Sequence, residues 1–268
     1  MSNKLDSQNL ASYSLKVLDD HLNTKSDEII NMNNFIGSTL ALEFTGDINC
    51  ISCQRRVTKT FNQGYCFPCF QKLAECDICI VKPELCHFEE GTCRDNDFAE
   101  KNCNTDHYVY LSLTSGIKIG ITRAVNLPHR WIDQGASQAI KVLKVNRRKD
   151  AGIIESEIAK SFADKTNWRK MLKNEAEPCD LIQQKQEILE RAREIAAIAE
   201  IKIEESDDEI TNIEYPVEEY PQKIKSHNFD KNPIVSGTLL GIKGQYLIFD
   251  TGVINIRKFA GYRVQIKG

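Results

Sequence analysis

The chain has 268 residues, 41% hydrophobic and 27% charged, with a formal net charge of -3, a mixture that excludes wholesale disorder and a uniformly basic coat for nucleic acid. At roughly 100–200 residues per domain, that length implies two or three domains. No apolar run approaches the roughly 18 residues that cross a bilayer, and the N-terminus carries no apolar signal core, so a cytoplasmic protein with no membrane partner is expected. In such a reducing compartment the ten cysteines are expected as thiols or metal ligands, and nine of the ten lie between Cys50 and Cys103.

Taken in chain order, the first 30 residues are polar and are expected to be poorly ordered at the very end. Phe35 to Phe44 alternates and predicts a strand leading into the cysteine region. Tyr108 to Thr122 predicts two short strands around the turn Thr114-Ser115-Gly116. Asn126 and Pro128 open a short helix through Trp131 that stops near Gly135. A strand is predicted at Ile140–Val145 and a helix over about Asp150–Ala163. Ile188, Ala192, Ile195 and Ala199 recur at helical spacing within 180–200. Residues 203–233 are acidic, contain Pro216, Pro221 and Pro233, and suit a linker or irregular segment. From Ile234 to Ile266 the signals are all strand, broken by turns at Lys243-Gly244 and Asp250-Thr251-Gly252. Thirty-odd residues are marginal alone, so this tail is expected to pack with the Phe35–Phe44 strand into a small barrel-like sheet. Such barrels often bind nucleic acid, and Lys243, Arg257, Lys258 and Arg263 would suit that.

Charge is unevenly spread: -4 over residues 1–49, -2 over 50–106, +8 over 107–174, -9 over 175–232 and +4 over 233–268. The near-neutral total hides a basic centre and a mildly basic tail, separated by an acidic connector.

Cys50-x-x-Cys53, twelve residues, then Cys66-x-x-Cys69 is close to the spacing of a four-cysteine zinc ribbon. Each tight turn presents two thiolates at adjacent corners of a tetrahedron. A second group comprises Cys76-x-x-Cys79, Cys86, His87, Cys93, Cys103 and His107. Cys76 and Cys79 read as the anchor pair of a second zinc, with Cys86, Cys93, Cys103 and the two histidines competing for the other places. An all-cysteine closed site leaves no open position, so the zinc is expected to be structural. Cys179 stands apart and reads as an ordinary buried thiol. Between Cys53 and Cys66, Arg55, Arg56 and Lys59 alternate with Phe61 and Tyr65, which fits phosphate contact with base stacking and equally a solvated loop shielding a metal.

The stretch HYVYLSLTSGIKIGITRAVNLPHRW resembles the opening of the GIY-YIG nuclease superfamily. Tyr110 falls on the first motif's tyrosine, Lys118-Ile119-Gly120 on the second motif, and Arg130 on the arginine of the following helix. In AGIIESEIAK, Glu155 takes the place of the metal-binding glutamate. The resemblance covers about 107–174. Tyr108 stands where the first motif has Gly, Lys118 where the second has Tyr, and the family's last Asn falls on Asn167 or Asn174. It implies a Mg²⁺ at Glu155, charge compensation by Arg130, and a water oriented by Tyr110 beside Lys118. Helical periodicity agrees independently: Ile154, Ile158 and Phe162 define an apolar face, with Glu155 about 60° from its centre and Glu157 about 100° away. DQGASQAIKVLKVNRRKDAGIIE and DKTNWRKMLKNEAEPCDL further resemble a bacterial zinc-containing family of unknown function spanning nearly the whole chain.

An α+β protein is therefore expected: an N-terminal segment with one strand (1–49), a zinc-binding region (50–106), a GIY-YIG-like α/β domain (107–180), a helix and acidic linker (181–232), and a β-rich C-terminal module (233–268). DNA or RNA is the expected partner, contacted by Arg55, Arg56, Lys59, Arg123, Lys144, Arg147 and Arg148, the last three on a basic strand-and-loop edge with Lys141 and Lys149. Three functions stay open: a Mg²⁺-dependent nuclease, a non-catalytic nucleic-acid binder, and an RNA-modification enzyme.

Overall fold

A computed structural model of the chain describes residues 1–19, 24–161 and 167–268. It is a mixed α/β structure of several antiparallel sheets and few helices. The N-terminus is not a loose arm. β1 (Ser2–Leu5), β2 (Ala11–Asp19) and β3 (Thr24–Asn31) form a three-stranded antiparallel sheet. The anchors are distant in sequence, which is why a polar stretch gave no sign of them. The Ala11 amide donates to the Glu214 carbonyl at 2.8 Å. The Asn33 side chain accepts from the Tyr13 amide at 2.9 Å and donates to the Ala11 carbonyl at 3.1 Å. Ala11, Tyr13 and Met32 are thereby buried in the main core.

β4 (Thr39–Asn49) begins later than predicted, because a 3-10 turn at Met32–Phe35 and Gly37, with φ of +82°, precede it. The cysteine region holds β5 (Arg56–Val57), α1 (Phe67–Lys72), three short 3-10 turns between Ala74 and Leu85, and α2 (Asn96–Asn102). β6 (His107–Leu113) and β7 (Ile117–Arg123) form the predicted hairpin. The short helix follows as α3 (His129–Gln134), ended by Gly135 at φ of +72°, where a Cβ would lie 2.5 Å from the Met171 sulfur. β8 (Gln138–Val145), α4 (Arg148–Ala159), α5 (Trp168–Leu172) and α6 (Leu181–Ile198) complete the centre. α4 ends at Ala159, and Phe162 and Ala163 lie outside the described residues.

The acidic segment is not a plain linker: β9 (Glu204–Glu205) and β10 (Ile210–Asn212) both pair with β8, giving a sheet ordered β10-β8-β6-β7. This sheet is covered on both faces. Val109, Leu111, Ile140 and Val142 pack against Ile154 and Ile158 of α4 and Ile188 and Ala192 of α6. Tyr110 and Ala139 face the other way, into the core shared with Trp131, Leu40, Leu42 and Leu239. Burial on both faces accounts for the near-continuous apolar run of β6.

β11 (Ile234–Lys243), β12 (Tyr246–Phe249), β13 (Gly252–Asn255) and β14 (Tyr262–Lys267) join β4 in the order β13-β12-β11-β4-β14, with β5 also on β4. The pairing of the tail with the strand before the cysteines is thus as expected. Lys243, however, is no surface charge: it is 1% exposed, its Nζ donates to Asn174 Oδ1 at 2.7 Å, and burial pushes its pKa down to about 8.

Candidate functional site

The four-cysteine cluster is carried by two tight turns. Cys50 directly follows β4, and the Gln54 amide donates to its carbonyl at 3.0 Å, folding Cys53 back beside it. Cys66 is the N-cap of α1, whose first turn carries Pro68 and Cys69. The two loops are stitched by the Ile51 amide to the Gly64 carbonyl at 2.9 Å, and Gly64 leaves no room for a side chain, since a Cβ would lie 2.8 Å from Ile51. All four sulfurs lie within 4.8 Å of one another, and Cys53 Sγ to Cys66 Sγ is 3.6 Å. Thiolates about 2.3 Å from a tetrahedral zinc stand about 3.8 Å apart, so the group fits zinc. Burial works against ionisation of Cys50. Hydrogen bonds from the Cys53, Cys66 and Ser52 backbone and the Cys53 thiol outweigh it and bring Cys50 down to about 6. Hydrogen bonding to Cys66 and burial push Cys69 up to about 12. Four sulfurs this close do not all ionise without a cation between them.

Of the expected anchor pair, Cys79 joins a group of converging ligand atoms, whereas Cys76 is in neither such group among the described residues. Cys76 is buried, which pushes its thiol up, and it hydrogen-bonds Asn62. Cys79 converges with Asp77 and His87, while Cys86 and Cys103 act on it as neighbouring charges. Cys93 donates to the Asp95 carbonyl at 3.4 Å. Cys179 is half-buried, with its thiol pushed up by burial.

His107, 1% exposed, opens β6. Its Nδ1 lies 2.7 Å from the Thr105 carbonyl, so it carries the proton, and the buried Nε2 has no hydrogen-bond partner. Burial, opposed by Thr105 and reinforced by Arg148 and Arg123, brings its pKa down to about 4. Between pH 6.5 and about 4 the unfolded chain therefore takes up a proton that the folded chain refuses. Stability present above pH 6.5 should fall by up to about 3 kcal/mol across that window. Urea unfolding from pH 4 to 7.5 should show a flatter profile for His107→Gln than for the unchanged protein; equal slopes would contradict this.

A cleft of about 1090 Å³ opens where the cysteine region, hairpin, α4 and C-terminal sheet meet. Ile51, Asn62, Gln63 and Tyr65 line one side, Lys118 to Arg123 another, Arg148 and Glu155 a third, and Gln245 with Ile256 to Tyr262 the last. The structure thus brings Lys118, Arg130 and Glu155 to one cavity, together with Arg123, Arg257 and Asp133. Glu155 is half-buried on the cleft side of α4, whereas Glu157 is exposed and pairs with Lys160 at 2.5 Å. Tyr110 does not line the cleft. Its ring is fully buried and its hydroxyl donates to Gln134 Oε1 at 3.0 Å and accepts from Arg130. Burial raises its pKa, Arg130 and Gln134 lower it, and the charge of Glu155 raises it again.

Tyr110 pairs across the hairpin with Gly120, where an added Cβ would sit 2.7 Å from the phenol oxygen. Gly120→Ala should therefore push Tyr110 off Gln134 and Arg130 and destabilise the fold by about 1–3 kcal/mol. A urea midpoint unchanged from that of the parent chain would contradict it.

The other expected contacts are distributed unevenly. Arg55 and Lys59 are exposed, and Lys59 lies over the Phe61 ring at 5.2 Å. Arg56 pairs with Asp47 at 2.5 Å. Arg123 is half-buried and held by Asn102 at 2.6 Å and Asn126 at 3.4 Å. The basic edge of β8 and the turn after it is largely paired with carboxylates, two of them from the acidic segment. Lys144 pairs with Glu204 at 2.8 Å, Lys141 with Asp207 at 3.4 Å, and Arg147 with Asp150 at 2.9 Å and with Glu89. Arg148 donates to the Ile80 carbonyl at 2.6 Å. Asn167 caps α5 and Asn174 accepts from Lys243, so both serve the fold away from the cleft. Gln134, Asp133 and Asp77 carried no sequence signal, because their partners come from remote segments.

Fold and clustered thiols together define a mixed α/β protein with a four-cysteine group compatible with zinc. The chain belongs to the family described as protein of unknown function (DUF2797), whose model matches residues 37–264. No curated protein and no solved structure matches it. No helix among the described residues is long and apolar enough to cross a membrane.

Proposed function

We propose that this is a zinc-stabilised nucleic-acid-binding protein whose cleft holds a phosphate chain and cuts it in the manner of the GIY-YIG nucleases. The observation that carries the reading is the meeting of Lys118, Arg130 and Glu155 in one cavity. Lys118, Arg123 and Arg130 supply positive charge for phosphate oxygens. Arg130, steadied by the Tyr110 hydroxyl, offsets charge that grows on the phosphoryl group. Tyr110 then acts as a positioning residue, because a hydroxyl buried and bonded on both sides does not reach a water in the cleft. A single carboxylate completed by water and phosphate oxygens suits Mg²⁺, and Glu155 would hold it. When bound, the ion polarises the phosphate and steadies the leaving oxygen.

A second reading, binding without cleavage, draws on two observations. Among the described residues Glu155 belongs to no group of converging metal ligands, and Tyr110 is shut out of the cleft. Incubation with labelled single-stranded, duplex and structured DNA and RNA, with and without Mg²⁺, separates the two. Cleavage that needs Mg²⁺ supports the nuclease; retention without products supports the binder; indifference to every polynucleotide overturns both.

A further inference from the structure

A second metal-ligating group lies beside the first. Asp77, Cys79 and His87 present a carboxylate oxygen, a thiol sulfur and an imidazole nitrogen, all within 4.8 Å of one another. Asp77 caps the 3-10 turn Ile78–Ile80 and accepts from the Cys79 amide at 3.4 Å, which fixes the two side chains together. Both residues are buried.

The histidine is oriented by Thr92. The Thr92 hydroxyl lies 2.7 Å from His87 Nδ1 and 3.3 Å from the His87 carbonyl, which fixes the ring. The ring so held turns Nε2 toward Asp77 Oδ1 at 3.6 Å. The separation exceeds the 2.7–3.2 Å of a hydrogen bond, whereas oxygen and nitrogen each about 2.0–2.1 Å from a tetrahedral zinc stand about 3.4 Å apart.

The outer contacts follow the same pattern. Arg94 Nε holds the other Asp77 oxygen at 2.6 Å, as the partners of ligating carboxylates do. The same guanidinium donates to the Phe70 and Leu73 carbonyls, each at 3.2 Å, at the end of the helix that carries Cys69. Arg94 therefore ties this group to the first cluster.

We infer that Asp77, Cys79 and His87 form a second zinc site, with a neighbouring thiol, Cys86 or Cys103, at the fourth corner. Cys79 gives up its proton to solvent when the metal binds. The inference is independent of what the cleft does.

The test is the zinc content of the full chain after dialysis against zinc-free buffer, read by native mass spectrometry and elemental analysis. The expected result is two zinc ions per chain, falling to one in Asp77→Asn and in His87→Gln. The count for the unchanged chain is decisive by itself, whether or not a variant folds. One zinc in the unchanged chain overturns the site. Two zinc ions retained in either variant overturn this ligand set in favour of thiols alone.

Discussion

Cys66→Ser, or a strong chelator applied to the unchanged protein, should melt residues 50–73, β5 with them, while leaving the other strands folded. Within that stretch only Cys50, Gly64 and Cys66 are buried, so there is no apolar core to hold the loops once the metal is gone. Phe61 contributes ring contacts to Phe67 and Phe70 at 5.3 and 5.8 Å, worth about 0.5–1.5 kcal/mol each. Structural zinc contributes about 10–16 kcal/mol in comparable small sites. The main core, built from Leu40, Tyr110, Trp131 and Leu239, takes no ligand from this region and should persist. Hydrogen exchange should show protection lost from 50–73 and kept in β6, β8 and β11. Equal protection with and without chelator would contradict the assignment. Because Ile51, Asn62, Gln63 and Tyr65 wall the cleft, affinity for nucleic acid should fall in parallel.

Glu155→Gln should abolish Mg²⁺-dependent cleavage, by at least about 10²–10³-fold, with little change in stability or in binding. Removing the charge takes away the carboxylate that would hold the ion while keeping the side chain's shape at the edge of the α4 face. Glu157→Gln is the matched control, since Glu157 is exposed on the same helix and pairs with Lys160. Arg130→Ala should lower both binding and turnover, because the guanidinium meets the phosphate before the reaction and during it. Activity retained in Glu155→Gln at the level of Glu157→Gln would remove the nuclease reading and leave the binding one.

Much of the fold was legible because it is encoded locally. The hairpin showed through two short strand-like runs around its Thr114-Ser115-Gly116 turn, α3 through Pro128 and Gly135, and α6 through its helical spacing. The four-cysteine cluster was legible from cysteine spacing alone, since each pair closes on its own turn. What sequence reading missed depends on remote partners. β1 to β3 are polar strands fastened through Asn33 and the Glu214 backbone. β9 and β10 look like an acidic linker until their carboxylates are seen against Lys141 and Lys144 of β8. For the same reason a segment charge of +8 overstated the open basic surface there. Asp77 was hidden by the surplus of cysteines around it, and Tyr110 by a motif that names a residue without saying whether it reaches solvent.

The central claim, that a zinc-walled cationic cleft holds a phosphate chain, is tested most directly by the salt dependence of binding. Fluorescence anisotropy of labelled DNA and RNA should give a log–log slope of about -0.7 to -0.9 per phosphate contacted. The slope should shrink by about one contact in Arg130→Ala and by more in the chelated protein. A slope near zero, or one that neither Arg130→Ala nor chelation alters, would contradict the account.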